Sequence, residues 1–312
     1  MAITAGMVKE LRETTGAGMM DCKKALNETD GDMAAAIELL RKNGQAKAEK
    51  KAGRVAAEGL CAVVVDGDTK AAVVEVNSET DFVAKNEEFQ NFVKAVATQA
   101  MTTTATDVDT LLAEAWCEDN AMTVKEALTA KIARIGENLT IRRFEKVETT
   151  NGCVVSYVHG GGRIGVVVEA TTDVVNDDIK AAMSNVAMQV AALNPTYVSA
   201  NEVSDEYKAH ETEIIKAQIE NDPKMAGKPE KVILGAVSGR LNKQLKEVCL
   251  LDQTYVKAED GKQSVADYIK EVAKANGASF SIKKFVRFET GEGIEKVEAD
   301  FAAEVAAQAF GN

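Results

Sequence analysis

The side chains that could carry acid–base or nucleophilic chemistry are few in this sequence and widely spaced. Its two histidines, His159 and His210, fall in segments of different predicted structure. The carboxylates of Glu79, Asp81 and Asp173 are candidates for a general acid or base, but no nucleophile or metal-binding cluster accompanies them. No G-x-x-x-x-G-K-S/T, G-x-S-x-G or H-E-x-x-H motif occurs. We therefore expect a protein that is not an enzyme and that has no catalytic residues, metal or cofactor.

Charge and cysteine content restrict the classes of partner and compartment. The formal net charge of −12 argues against nucleic acid as the main partner, because phosphate binding needs a surplus of Lys and Arg. The five cysteines include no C-x-x-C pair, a pattern typical of reduced thiols in a cytoplasm rather than of disulfides or zinc sites. No apolar run approaches the roughly 20 residues of a membrane span, and the first residues lack the regions of a signal peptide. We expect a cytoplasmic protein that binds neither nucleic acid directly nor membrane.

The stretch from Asn77 to Asn86 connects a predicted strand to a predicted helix. Residues 70–76 before it are mostly apolar and rich in β-branched side chains, which predicts a strand. After it, apolar residues from Phe89 to Ala100 recur at three- and four-residue steps, the pattern of an amphipathic helix that Asn86 could cap. A connection of this kind can present side chains outward from a rigid scaffold.

Three large apolar side chains near such connections have two open placements, core or surface. Periodicity favours the core for Phe82, because it lies seven residues before Phe89, whereas Lys85 at an intervening position argues against this. Met19 and Met20 follow a glycine-containing loop, so either of them could pack in the core or lie exposed. Pattern alone thus favours the core for Phe82 and does not choose for Met19 and Met20.

The N-terminal part reads as a small helical unit. Residues 1 to about 45 predict three short helices, the first two separated by Gly16-Ala17-Gly18 and the third ended by Asn43-Gly44 as a C-cap. The following residues 46–54 are basic and lack an apolar stripe, which predicts a helical linker and a domain boundary.

Beyond the linker the sequence contains an internal repeat. Residues 59–76 and residues 152–170 each predict a strand, a turn and a strand, and similar helices follow both. Each half closes on a similar strand, at residues 141–148 and 282–289. The sequence therefore predicts an α+β protein with a duplicated core of two small antiparallel sheets, each with helices packed on one face.

The second half contains an insertion. Its three prolines, Pro195, Pro223 and Pro229, follow the matched helix. Residues 202–220 and 231–245 predict two helices joined by a turn at 223–229, an antiparallel helical hairpin. The alternative is a local excursion packed on its own module. A loop and a final helix, with Phe301 among its apolar residues, end the chain. The predicted domains are residues 1–54, 55–149, 150–194 together with 246–290, 195–245, and 291–312.

Four motifs resemble the elongation factor Ts family of bacteria. They are Thr80-Asp81-Phe82-Val83-Ala84-Lys85, residues 14–26, Ile135-Gly136-Glu137-Asn138, and residues 291–298. The resemblance covers essentially the whole chain, in order. It implies an N-terminal three-helix unit like a ubiquitin-associated (UBA) domain, a two-part core, a coiled-coil hairpin and a C-terminal helical module. The family is the guanine nucleotide exchange factor of elongation factor Tu, so the resemblance implies that protein GTPase as the partner.

The resemblance also implies a set of partner-binding residues. Thr80, Asp81, Phe82 and Val83 would lie at a tip against the GTPase domain, with Phe82 wedged between its helices. This would displace the elements that bind magnesium and phosphate in the partner and so promote exchange of GDP for GTP. The resemblance leaves open the role of the insertion and any homodimerisation. The other partner contacts implied are Arg12, Met19, Met20, Lys23, Ile135 and His159.

Overall fold

The computed structural model of the protein describes residues 2–225 and 227–295. The chain divides into two compact units. Of the described residues, the first unit contains 2–62, Val74–Phe144 and 288–295, and the second contains Val63–Val73 and Glu145–Arg287. None of the helices within the described ranges is long and apolar enough to cross a membrane. The predicted final helix, with Phe301, lies outside the described residues.

Three helices form the N-terminal part, as predicted. They are α1 (Ala5–Thr15), α2 (Met19–Glu28) and α3 (Met33–Lys51). The side chain of Thr4 caps α1. The three helices share a small core of apolar side chains that includes Leu11. A core of this size is marginal for independent stability.

The predicted end of the third helix at Asn43-Gly44 is wrong, because α3 continues through both residues. Gly44 is buried, and a Cβ atom placed on it would lie 3.4 Å from the Cβ of Ala133. Ala133 belongs to α7 (Val124–Ile135), which packs against α3. A glycine that would end an isolated helix thus serves here as a point of close contact between two helices, since packing overrides local propensity.

Two three-stranded sheets make up the duplicated core and confirm the predicted α+β class. The first sheet has the order β1-β2-β5 and the second the order β6-β7-β8. In the second sheet β6 and β7 are antiparallel, with Gly152 opposite Thr171 and His159 opposite Ile164. The strands are β1 (Glu58–Asp66), β2 (Lys70–Ser78), β5 (Thr140–Glu148), β6 (Gly152–His159), β7 (Ile164–Thr172) and β8 (Phe280–Glu289).

Helices follow the central strand of each sheet. After β2 come a single turn, α4 (Asp81–Ala84), and α5 (Glu87–Thr102), and the predicted stripe of α5 is buried from Phe89 onward. After β7 comes α8 (Asp177–Leu193), which packs on the second sheet and against α11 (Val265–Asn276). The repeat is therefore one of strand, strand and following helix.

A small element between α5 and α7 was not predicted. It consists of α6 (Val108–Ala113) and a two-stranded sheet of β3 (Ala115–Trp116) and β4 (Asp119–Thr123). The ring of Trp116 is buried, with its centroid 5.6 Å from that of Phe92 on α5. Strands this short carry too little periodic pattern to be recognised in a sequence.

A buried carboxylate on β2 fixes the segment that follows β8. Glu75 is fully buried, and its oxygens accept hydrogen bonds from Arg142 Nη1 (3.0 Å), Arg143 Nε (2.6 Å) and the Gly291 amide (2.8 Å). Burial alone would raise the pKa of Glu75, but these bonds and that from Asn77 outweigh it and lower the pKa. The segment after β8 is therefore bound in the first unit through the Gly291 amide, which donates to Glu75 on β2.

The predicted helical hairpin is present. Helix α9 (Asp205–Glu220) packs against α10 (Glu230–Val248), and Ile215, Ile219 and Val237 form the buried part of their interface. The segments that flank it join the core of the second unit, where Val198 and Leu250 are buried.

We predict that Gly235→Ala and Gly239→Ala each stabilise this hairpin. Both glycines lie within α10, are exposed, and have nothing within 4 Å of an added Cβ. A glycine in a helix costs about 0.5–1 kcal/mol relative to alanine, so amide hydrogen exchange in α10 should slow about two- to fivefold. Gly44→Ala is the control: it lies in another helix, α3, so it should leave exchange in α10 unchanged. Unchanged exchange in α10 would contradict the prediction.

Candidate partner-binding surface

An exposed turn between β2 and α5 carries the side chain of Phe82. We call residues Thr80–Lys85 the tip. Thr80 Oγ1 accepts a hydrogen bond from the Val83 amide and so caps α4. Val83 is buried, whereas Phe82 is 79% exposed. The core placement that periodicity favours for Phe82 is therefore wrong, because α4 ends at Ala84 with Lys85 as its C-cap, and Phe82 does not continue the buried stripe of α5.

An ion pair lies beside the exposed ring. Lys85 Nζ is 2.6 Å from Asp81 Oδ2 and 5.8 Å from the centroid of the Phe82 ring. The hydrogen bond from Lys85 lowers the pKa of the Asp81 carboxyl. The tip thus presents an apolar ring flanked by an exposed pair of opposite charges.

Two short segments hold each other beneath the tip through carboxylate-to-backbone hydrogen bonds. Glu137 Oε2 accepts from the amides of Glu79 (3.1 Å) and Thr80 (3.0 Å), and Glu137 Oε1 accepts from Thr80 Oγ1 (2.7 Å). In return, Glu79 Oε1 accepts from the Asn138 amide. We call Glu79, Thr80, Glu137 and Asn138 the tip clasp. It joins two of the sequence motifs into one local structure.

The end of α7 leads directly into the clasp. Ile135, a predicted partner contact, is the last residue of α7 and is half-buried. Gly136 then adopts φ 89° and ends the helix, which turns the chain so that Glu137 reaches the tip. The prediction from sequence included Ile135 but missed Glu137. A glycine C-cap followed by a carboxylate was the available signal.

The residue before Ile135 connects this region to the N-terminal helices. Arg134 Nε lies 2.8 Å from Glu88 Oε2 at the start of α5. A Cβ on Gly16 would lie only 2.5 Å from Arg134 Nη1, so the guanidinium is seated under the loop that precedes α2. Gly16 also has φ 66°, a backbone conformation that favours glycine.

The predicted contacts on the N-terminal helices are all exposed. Met19 and Met20 are 58% and 75% exposed, which decides their open placement in favour of the surface. Arg12 and Lys23 are exposed as well. Helix α2 buries its opposite face around Leu26. The first unit therefore carries the tip, Ile135 and all four of these residues.

His159 lies in the second unit, so the described geometry does not join it to the tip. It is the last residue of β6 and is exposed. Its Nδ1 is 2.9 Å from the hydroxyl of Tyr157, on the same face of the strand, and the two ring centroids are 5.9 Å apart. The hydroxyl therefore restricts the orientation of the imidazole ring.

Within the described ranges, no group of three or more His, Cys, Asp or Glu side chains is arranged to hold a metal ion. Burial raises the pKa of the thiols of Cys22, Cys153 and Cys249, which keeps them protonated and weak as nucleophiles. The arrangement around the tip is suited to protein–protein contact through an exposed aromatic ring.

Comparison with known proteins gives a consistent result. A family model described as "Elongation factor TS" matches residues 79–292, which include the tip and the clasp. The chain is 55% identical over 307 residues to Elongation factor Ts of Clostridioides difficile (strain 630), covering 98% of both chains. It is 52% identical to Elongation factor Ts of Clostridium botulinum (strain Eklund 17B / Type B) and 48% identical to that of Clostridium tetani (strain Massachusetts / E88). Each of these two matches covers 98% of this chain and 99% of the relative.

Proposed function

The chain belongs to the elongation factor Ts family of translation elongation factors, and from this membership we propose that it binds elongation factor Tu and promotes GDP release from it. GTP then replaces GDP in the emptied site. The observation that carries this proposal is Phe82, which is exposed in the free protein on a turn that hydrogen bonds hold in place. Family resemblance supports the identity of the partner.

The mechanism follows from linkage. A protein that weakens the binding of GDP to its partner must itself be bound more weakly by the GDP-loaded partner, and by the same factor. Phe82 suits this task if its ring enters a gap that opens only when helices of the partner separate. That movement would displace the elements that bind magnesium and phosphate. Burying the ring supplies about 2–3 kcal/mol, which corresponds to one to two decades in nucleotide affinity.

The remaining contacts extend the interface beyond the tip. Within the tip we propose Thr80, Asp81 and Val83 as partner-binding residues beside Phe82. Ile135, at the end of α7, is a further proposed partner contact. The further proposed contacts are Arg12, Met19, Met20 and Lys23 on the N-terminal helices and His159 in the second unit. We also propose that the protein acts in the cytoplasm without a cofactor and without direct contact to nucleic acid or membrane.

Release of a fluorescent GDP analogue from purified elongation factor Tu, followed by stopped flow, tests the proposal. Adding the protein should accelerate release in a concentration-dependent, saturable manner. Binding without acceleration would instead identify a passive binding module. Absence of binding would overturn the proposed partner.

A double variant, Met19→Ala with Met20→Ala, tests the N-terminal contact. Both side chains are exposed, so the free energy of unfolding should change by no more than about 0.5 kcal/mol. If the partner buries them, its dissociation constant should rise about tenfold or more, measured by titration of the nucleotide-free partner. Val256→Ala, at an exposed apolar residue of the second unit, is the control and should leave affinity unchanged. Wild-type affinity in the double variant would contradict the assignment.

A further inference from the structure

We propose that Glu137 is a positioning residue for Phe82: its carboxylate fixes the tip in the orientation the partner requires, without contacting the partner itself. This rests on the proposed function of Phe82. Helix α4 is a single turn, too short to be stable by itself, and its buried side chain is Val83, toward the end of the turn. Where the tip begins, hydrogen bonds hold it: one from Ser78 Oγ to the Thr80 carbonyl, and those of Glu137.

The hydrogen bonds of Glu137 act where the tip begins. Its carboxylate accepts hydrogen bonds from the amides of Glu79 and Thr80 and from the hydroxyl of Thr80. Thr80 is also the residue that caps α4. Bonds to an ionised carboxylate are shorter and stronger than those between neutral groups. They fix the direction in which the chain enters α4, and therefore the direction of the Phe82 side chain two residues further on.

Glu137 has little capacity left for a partner. One oxygen accepts two backbone amides and the other accepts the Thr80 hydroxyl. The reciprocal bond from the Asn138 amide to Glu79 keeps the two segments in register. The sheet and helices around the clasp have their own cores, so removing this carboxylate should free the tip rather than unfold the first unit.

The first test is a double-mutant cycle between Glu137 and Phe82, read out as the GDP release rate of elongation factor Tu at saturating variant. Glu137→Ala should slow release about fivefold or more. In the Phe82→Ala background the same change should have an effect of less than about twofold, because no ring remains to be positioned. An undiminished, additive effect in that background would overturn the proposal, and so would a wild-type rate for Glu137→Ala.

The second variant, Glu137→Gln, separates positioning from a charged contact. The amide oxygen of Gln can still accept the two backbone N–H groups, and its NH₂ can donate to Thr80 Oγ1. Gln should therefore restore most of the rate lost in Glu137→Ala. If Glu137 formed an ion pair with the partner, Gln would be as slow as Ala, and the proposal would fail.

A measurement on the free protein keeps this proposal separate from the proposed function. Glu137→Ala should accelerate hydrogen–deuterium exchange in the peptide covering residues 79–85 by about tenfold or more. Glu114→Ala is the matched control: that carboxylate bonds Gln99 and Thr103 elsewhere in the first unit, so its loss should not affect the tip. Unchanged exchange at the tip in Glu137→Ala would overturn the inference, whereas failure of wild-type protein to accelerate GDP release would overturn only the proposed function.

Discussion

Phe82→Ala should slow GDP release from elongation factor Tu about tenfold or more and leave the free protein as stable as before. The ring is 79% exposed, so its loss removes little buried apolar surface, and the free energy of unfolding should change by no more than about 0.5 kcal/mol. In the complex, the same ring would be buried, and losing it removes about 2–3 kcal/mol. Each 1.4 kcal/mol or so corresponds to a tenfold change in rate. A urea midpoint of the free protein and a release rate at saturating concentration are the two measurements.

Phe92→Ala provides the matched comparison for this result. Phe92 lies on α5, is almost fully buried and packs against Trp116. Its replacement should cost about 3–5 kcal/mol of stability, while the release rate per folded molecule stays near that of wild type. If Phe82→Ala instead shifted the urea midpoint strongly and left the rate per folded molecule unchanged, Phe82 would not be the element that acts on the partner.

Glu75→Gln should also have a large effect, in this case on the free energy of unfolding. The amide cannot satisfy Arg142 and Arg143 as the carboxylate does, and breaking a buried pair of charges costs about 3–5 kcal/mol. Both guanidinium groups are partly exposed, so water compensates part of the loss, and we expect about 2–3 kcal/mol at pH 7 by urea unfolding. A variant as stable as wild type would contradict this.

The contribution of Glu75 to the free energy of unfolding should decrease as the pH falls. Its pKa is lowered on folding from an ordinary value of 4.5. The stabilisation is therefore complete above pH 4.5 and is lost as the pH falls toward the lower pKa of the folded state. The difference in stability between wild type and Glu75→Gln should shrink over the same range.

Glu169→Gln, at the corresponding position of the second sheet, is the control for Glu75→Gln. Its carboxylate pairs with Lys283 at 2.7 Å, so fewer bonds are lost and the pH 7 effect should be smaller.

The elements that could be predicted are those with long periodic patterns. The stripe of α5, the repeated strand pairs and the helical hairpin all appear where periodicity places them. The continuation of α3 past Gly44 could not be predicted, because it depends on contact with α7, a helix far away in sequence. The same holds for the tip clasp: Glu137 reaches Thr80 across 57 positions, and only the fold brings them together. The exposure of Phe82 follows from the break between α4 and α5, which periodicity does not register.

The hydrogen bond between Glu75 and Gly291 spans 216 positions, which has a consequence for synthesis of the chain. At a translation speed of about 5–20 residues per second, Gly291 leaves the ribosome about 10–40 s after Glu75. A first sheet that forms during that interval lacks the Gly291 amide that completes the set of bonds to Glu75. Arg142 and Arg143 emerge much earlier and can neutralise Glu75 in the meantime. Folding of the first unit during translation is therefore expected in two stages, a sheet held by the Arg–Glu contacts and a closing step when the nascent chain reaches Gly291.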